Sequence, residues 1–270
     1  FNDDLTEYET HPVQVYMPDA VTIKSPEASI SWWPVFAKGK ILQLDNGDLL
    51  APMYGLFNDG TNSRVVLSLS SDQGRTWSYY ATVALELTDL NPELPGDYVG
   101  LSEPSIALLP SGRMICVIRT QYAHPPGEYR PLAVSWSDDL GKTWTRPTLT
   151  RPHLMSISPT VQALDNGVVA LQYGRPGFHV AFSIDEGQTW QDRISFSDLP
   201  VTIITGQFDM IKAGPNKLVV IGNDAEGTKV WPITVERAKT PWSYLSLNGR
   251  VLDQEGNPVA DAKIELSPNR

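Results

Sequence analysis

Ser70-Ser71-Asp72-Gln73-Gly74-Arg75-Thr76-Trp77, Ser137-Asp138-Asp139-Leu140-Gly141-Lys142-Thr143-Trp144 and Ser183-Ile184-Asp185-Glu186-Gly187-Gln188-Thr189-Trp190 are three copies of one octamer, S-x-D-x-G-x-T-W. A short unit repeated along a chain cannot bury its apolar face alone and must stack on copies of itself. The repeat therefore constrains the architecture more than any other signal in the sequence.

The octamer has the chemistry of a hairpin corner. Apolar residues run into each copy, as in Val65-Val66-Leu67-Ser68-Leu69 and Pro131-Leu132-Ala133-Val134-Ser135, which places the Ser at a strand end. The Asp is expected to accept from backbone N–H groups two residues on. The Gly is expected to supply a positive φ, and Thr-Trp to restart a strand with a ring that wedges against a neighbour. A calcium loop needs several oxygen ligands, whereas each turn repeats a single carboxylate, so the octamer is read as structural.

A second phrase precedes each octamer. Residues 41–50, 106–115 and 161–169 each read strand, Asn-Gly or Ser-Gly turn, strand, and a fourth copy is legible from Met210 to Val219, followed by Val230-Trp231-Pro232-Ile233-Thr234-Val235. Gly47, Gly112 and Gly167 lie 65 and 55 residues apart, room for four strands and their loops. Two hairpins per repeat make a four-stranded antiparallel blade, and blades set radially make a β-propeller. No window has a helical period, so the chain is predicted to be all-β: a propeller over residues 1–245, with a short C-terminal β segment over 246–270. Four repeats are legible, and Val13-Gln14-Val15-Tyr16 with Val21-Thr22-Ile23 are candidates to close a fifth or sixth blade.

Composition narrows the partners. The formal net charge of −10 opposes nucleic acid, which selects a basic face. No apolar run is long enough to span a bilayer. The single cysteine, Cys116 in Met114-Ile115-Cys116-Val117-Ile118, is read as inert strand packing. The chain starts at Phe1, so any signal peptide is expected to be gone already. No cofactor and no metal are expected, and a monomer is the default.

From Leu247 the sequence changes character. Asn248-Gly249-Arg250-Val251-Leu252-Asp253-Gln254-Glu255-Gly256-Asn257-Pro258-Val259-Ala260-Asp261-Ala262 resembles the opening of carboxypeptidase regulatory-like β-sandwich domains. Such domains need more strands than fit before Arg270, so the segment is either the start of a longer domain or an appendage on the propeller. The resemblance implies an extracytoplasmic protein, secreted or periplasmic.

Residues from about Lys38 to Trp242 resemble the sialidase superfamily, whose members carry these octamers as Asp-boxes or BNR repeats. The resemblance implies a glycan substrate and a site of three arginines, an acid/base Asp and a Tyr-Glu nucleophile pair. Arginine suits a sugar carboxylate because its planar fork bonds both oxygens. Tyrosine replaces the usual carboxylate nucleophile because an acidic sugar repels an anion, which makes sialidases an exception among glycosidases.

By this resemblance Glu103, which opens one strand, matches the nucleophile-activating Glu. Arg119, which closes the next strand, matches the second clamp; hairpin strands run antiparallel, so both can reach one rim. Their alternative is a structural ion pair. Arg175, in Tyr173-Gly174-Arg175-Pro176, resembles the third clamp, and Asp59, eleven residues before Ser70, resembles the acid/base. Two parts depart from the pattern. The first clamp arginine is absent from Trp33-Pro34-Val35-Phe36-Ala37-Lys38-Gly39-Lys40, where Lys38 or Lys40 can supply charge but no fork, and Gln207 stands where the nucleophile Tyr is expected. Asp209 as nucleophile or base, Tyr173 from a neighbouring strand, or Glu103 with Asp59 as an ordinary carboxylate pair are the possible repairs. Trp33 is a candidate for stacking on a sugar ring, with Trp32, Tyr98, Tyr122 and Trp231 as further aromatics.

The expected function is a secreted glycoside hydrolase of the sialidase superfamily, exo-acting on an acidic or unusual glycan. Its catalytic candidates are Glu103, Asp59 and Asp209, and its binding candidates are Arg119, Arg175, Gln207 and Trp33. The alternatives are a non-catalytic carbohydrate-binding or interaction propeller, and an arabinanase-like enzyme for neutral polysaccharide.

Overall fold

The computed structural model describes residues 10–18, 36–37, 39–58, 63–85, 97–123, 130–155, 158–174, 177–197, 208–224, 227–237 and 246–248. These residues contain no helix and form four sheets, the blades of a β-propeller. The first blade holds β1 (Gln14–Tyr16), β2 (Phe36–Ala37), β3 (Leu42–Gln43), β4 (Leu49–Gly55), β5 (Arg64–Ser70) and β6 (Thr76–Ala84). The second holds β7 (Asp97–Leu108), β8 (Met114–Ala123), β9 (Ala133–Ser137) and β10 (Thr148–Leu149). The third holds β11 (Thr160–Ala163), β12 (Val169–Gly174), β13 (Phe178–Ser183) and β14 (Gln191–Ser197), and the fourth β15 (Asp209–Gly214), β16 (Lys217–Asp224), β17 (Gly227–Glu236) and β18 (Ser246–Asn248). Strands within a blade follow chain order and pair antiparallel, except that β1 pairs parallel with β6. Gln14–Tyr16, expected with Val21-Thr22-Ile23 to close a fifth or sixth blade, instead edge the first blade, because they bond the open side of β6; Val21-Thr22-Ile23 lie outside the described residues.

Each blade begins at the axis, where β7 adjoins β4 and β11, and β11 adjoins β15. Between successive blades lies an apolar core. Leu67, Leu101, Met114 and Ile118 fill the first interface; Ile115, Val117, Leu132, Leu171 and Trp190 the second; Val180, Phe182, Met210, Leu218 and Val235 the third. This explains why β12 and β13 are buried at every position and show no alternation: a middle blade is covered on both faces. Cys116 is fully buried in the first interface, where burial pushes its thiol far above the usual range.

The octamers are corners with one hydrogen-bond pattern. In each, the Ser hydroxyl donates to the Asp at 2.7–2.8 Å and accepts the Gly N–H at 2.8 Å. The Asp accepts from the Thr four residues on, through its backbone N–H at 2.9 Å and its hydroxyl at 2.6–2.7 Å. The expected bond to an N–H two residues on is made by the Ser, whose oxygen lies nearer the start of the turn; the longer Asp spans the whole loop. Positive φ is shared by two residues, Gln73-Gly74, Leu140-Gly141 and Glu186-Gly187, as a type I′ turn requires.

The corners also fasten the blades. A Cβ on Gly141 would stand 2.9 Å from Leu67 of the preceding blade, and one on Gly187 2.4 Å from Ile115. The carbonyl before each of these glycines accepts from an aromatic of the preceding blade: Tyr80 Oη to Leu140 O at 3.4 Å, and Trp136 Nε1 to Glu186 O at 2.8 Å. The indole N–H donates to the octamer's own Gly carbonyl at Trp77 and Trp144, while that of Trp190 is buried without a partner.

These hydrogen bonds give the turns a pH signature. The Thr76 backbone N–H, then the Thr76 hydroxyl, holds the Asp72 carboxyl down to about 2, and Thr143 does the same for Asp139. Both values lie below the unfolded value of about 3.9. Their stabilising contribution is thus complete above pH ~4 and is lost as the pH falls through ~2. Denaturant unfolding at pH 5, 4, 3 and 2 should show wild type losing more stability over this window than the Asp72→Asn/Asp139→Asn variant. Parallel curves would refute the assignment.

Candidate functional site

Glu103 sits where β7 breaks register against β8, between Ser102 and Ser105. Its φ is +43°, a left-handed conformation that a Glu adopts only under constraint, and the bulge re-aims its side chain. Arg119 Nη1 donates to Glu103 Oε2 at 3.0 Å, and the backbone N–H of Ser158 donates to the same oxygen at 2.8 Å. Ser158 is itself at φ +37°. Two non-glycine residues in a costly conformation therefore hold each other across the second and third blades, the kind of stored strain that gathers at functional sites. The Glu103 and Arg119 side chains are 15% and 26% exposed. Arg119 Nε is buried without a partner, so the guanidinium has only one of its donors satisfied by Glu103.

A second ion pair lies at the start of the fourth blade. Asp209 Oδ1 receives Lys40 Nζ at 3.5 Å, the Thr160 hydroxyl at 3.1 Å and the backbone N–H of Met210 at 2.8 Å. Lys40 also donates to the Met210 carbonyl, so it reaches from the first blade to the fourth. Burial lowers the Lys40 pKa, and the charge and hydrogen bond of Asp209 oppose that shift. The neighbouring Gly39 has φ +92°, and a Cβ there would stand 2.6 Å from the Pro104 carbonyl oxygen. Only glycine lets the Lys40 segment settle against the residue next to Glu103.

Tyr54 on β4 joins this group. Burial, then the negative charge of Glu103, raises its phenol to about 12 against the opposing effect of Arg119, so it is a neutral donor at physiological pH. Its body packs in the interface that holds Leu101 and Ile118, the neighbours in sequence of the Glu103 bulge and of Arg119.

Of the residues singled out from sequence, Glu103 and Arg119 meet, and Asp209 lies with Lys40 and Thr160. Asp59, Arg175, Gln207 and Trp33 lie outside the described residues, as do Trp32, Lys38 and the C-terminal segment after Asn248. Tyr173 is 6% exposed, packed in the second interface against the His179 ring at 5.2 Å; burial raises its phenol, and a hydrogen bond from Arg193 opposes this. It is packed in the core of the second interface. Lys40 is engaged by Asp209 and is not a spare cation. Tyr54, Ser158 and Thr160 carried no sequence signal, since each acts through a strand distant in the chain. Among the described residues, no group of three His, Cys, Asp or Glu side chains is placed to hold a metal, and no helix is long and apolar enough to cross a membrane.

The sequence profile of the BNR repeat-like domain matches residues 21–247. Solved structures with the same fold include a protein of unknown function from Dyadobacter fermentans, 20% identical, covering 73% of this chain and 52% of its own, with a TM-score of 0.55. A Hadza microbial sialidase is 14% identical and covers 80% of this chain and 39% of its own, TM-score 0.54. The NanB sialidase from Streptococcus pneumoniae is 13% identical and covers 86% and 54%, TM-score 0.54. The chain spans about half the length of these structures, or less. No curated protein sequence matches it.

Proposed function

This chain belongs to the BNR repeat-like domain family, and from that premise we propose that it is a glycoside hydrolase acting outside the cytoplasm on the terminal sugar of an acidic or otherwise unusual glycan. The observation that carries the reading is Glu103, held on a strained bulge by Arg119 and the Ser158 N–H. A carboxylate fixed at this cost is positioned for chemistry, and Arg119 brings donors for a sugar oxygen or carboxylate beside it. The engaged Lys40 leaves the described site without a replacement for the first clamp arginine, which favours an unusual glycan over an ordinary sialoside. Asp59, Arg175, Gln207 and Trp33 are assigned to the same funnel by resemblance to the sialidases alone.

A panel of fluorogenic glycosides that includes sialosides and arabinosides tests the reading. The expected result is turnover of at least one member. Binding of a glycan array with no turnover on the panel would replace the enzyme with a carbohydrate-binding propeller.

A further inference from the structure

A residue in a costly backbone conformation stays there only where its surroundings over-determine it. Arg119 and Ser158 hold the side chain of Glu103, but its backbone gains nothing from β8, because the pairing passes from Ser102 to Ser105. Pro104 has no N–H to give, and a residue before proline favours extended backbone, the opposite of φ +43°. The grip on this bulge comes from the first blade, on both flanks. Before Glu103, the Leu101 N–H donates to the Ser63 carbonyl at 2.8 Å, and the Ser63 hydroxyl donates to the Leu101 carbonyl at 2.7 Å. Ser63 and Leu101 are both buried. Gly100 fits against Ser63 at φ +130°, where a Cβ would stand 2.5 Å from the Ser63 nitrogen. After Glu103, the Pro104 carbonyl oxygen would lie 2.6 Å from a Cβ on Gly39. Gly39 is tethered in that position, because Lys40 beside it is bonded to the Met210 carbonyl and paired with Asp209 of the fourth blade.

Resting on the reading of Glu103 as the working carboxylate of a glycoside hydrolase, we propose that Gly39 and Ser63 are positioning residues that impose the left-handed conformation of Glu103 from the first blade. Ser63 fixes where the strand enters the bulge, and Gly39 fixes where it leaves. Relaxation of Glu103 to extended backbone would have to displace one of them. Held between them, the carboxylate stays against the Ser158 N–H of the third blade. The aim of Glu103 is thus set by the first three blades together, and a change at Gly39 or Ser63 reaches the reaction only through Glu103.

NMR of the full chain labelled with nitrogen-15 at serine reads the contact without substrate. The Ser158 amide proton, identified by the loss of its signal in Ser158→Ala, lies downfield because it donates to a carboxylate at 2.8 Å. Gly39→Ala and Ser63→Ala should each move that signal toward its position in Glu103→Ala. On a glycoside turned over in the panel, each should lower kcat by about 10–100-fold with KM little changed, since a misplacement near 1 Å costs on that order. Gly112→Ala, which carries a comparable positive φ of +88° but meets nothing within 4 Å, should change neither. Ser63→Ala removes one hydroxyl and keeps the backbone bond, so it tests the grip even where Gly39→Ala fails to fold. An unmoved Ser158 amide in either variant, or a kcat within about threefold of wild type, overturns the assignment of that residue and leaves the hydrolase reading in place. Absence of turnover by the wild type on every glycoside overturns the hydrolase reading, and the amide signal still decides whether the first blade holds Glu103.

Discussion

Glu103→Gln is expected to keep the fold and to lower turnover of unactivated glycosides by about 1,000-fold, within the range that a positioned acid or base contributes. The substitution conserves shape, so the Ser158 N–H still finds an oxygen acceptor. What changes is the chemistry of the group: an amide neither donates an acidic proton nor offers Arg119 a charged partner. The stability cost is small on the same grounds, because the pair is partly exposed and the guanidinium can turn toward water. Thermal unfolding within a few degrees of wild type, with the loss confined to turnover, is the outcome that marks a working residue. A variant that keeps more than a tenth of the activity would reduce Glu103 to a structural partner of Arg119.

The largest effect on stability is expected at an octamer glycine. Gly187→Ala places a Cβ 2.4 Å from Ile115 and 3.3 Å from Trp190 at φ +84°, whereas Gly112→Ala meets nothing within 4 Å at φ +88°. Both variants bear the left-handed penalty of about 1–2 kcal/mol. Only Gly187→Ala adds overpacking against a buried side chain, a further cost of about 1–3 kcal/mol. In a domain of this size the additional cost amounts to a melting temperature lower by about 2–12 °C than that of Gly112→Ala. Equal melting temperatures would show that the octamer glycine serves φ alone and that Ile115 yields freely.

The propeller was legible because the hydrogen bonds among the fixed Ser, Asp, Gly and Thr of the octamer close within eight positions. Ser70, Asp72, Gly74 and Thr76 satisfy one another, so their order in sequence carries their geometry. The candidate site was legible only where it borrowed that register, at Glu103 and Arg119; the sequence put them at strand ends, whereas both lie inside longer strands, Asp97–Leu108 and Met114–Ala123, where Ser102 pairs with Arg119 across the hairpin. Glutamate is not a turn residue, and nothing in Ser102-Glu103-Pro104 announces φ +43°. Lys40 was read as a source of free charge; its partner Asp209 lies 169 positions away in the chain and is met only after four blades have closed on the axis. Ser158, before β11, and Thr160, its first residue, are ordinary polar residues until the inner strands of neighbouring blades approach them.

The fastening between blades points in one direction along the chain. Gly141 and Leu140 complete the face that Leu67 and Tyr80 leave open, and Gly187 and Glu186 do the same for Ile115 and Trp136. During synthesis from the N-terminus, the first and second blades are each finished by the corner of the blade that emerges after it. A ribosome stalled before Asp139 would hold a first blade whose Leu67 and Tyr80 still lack their cover, while one that has cleared Trp144 would present that interface sealed.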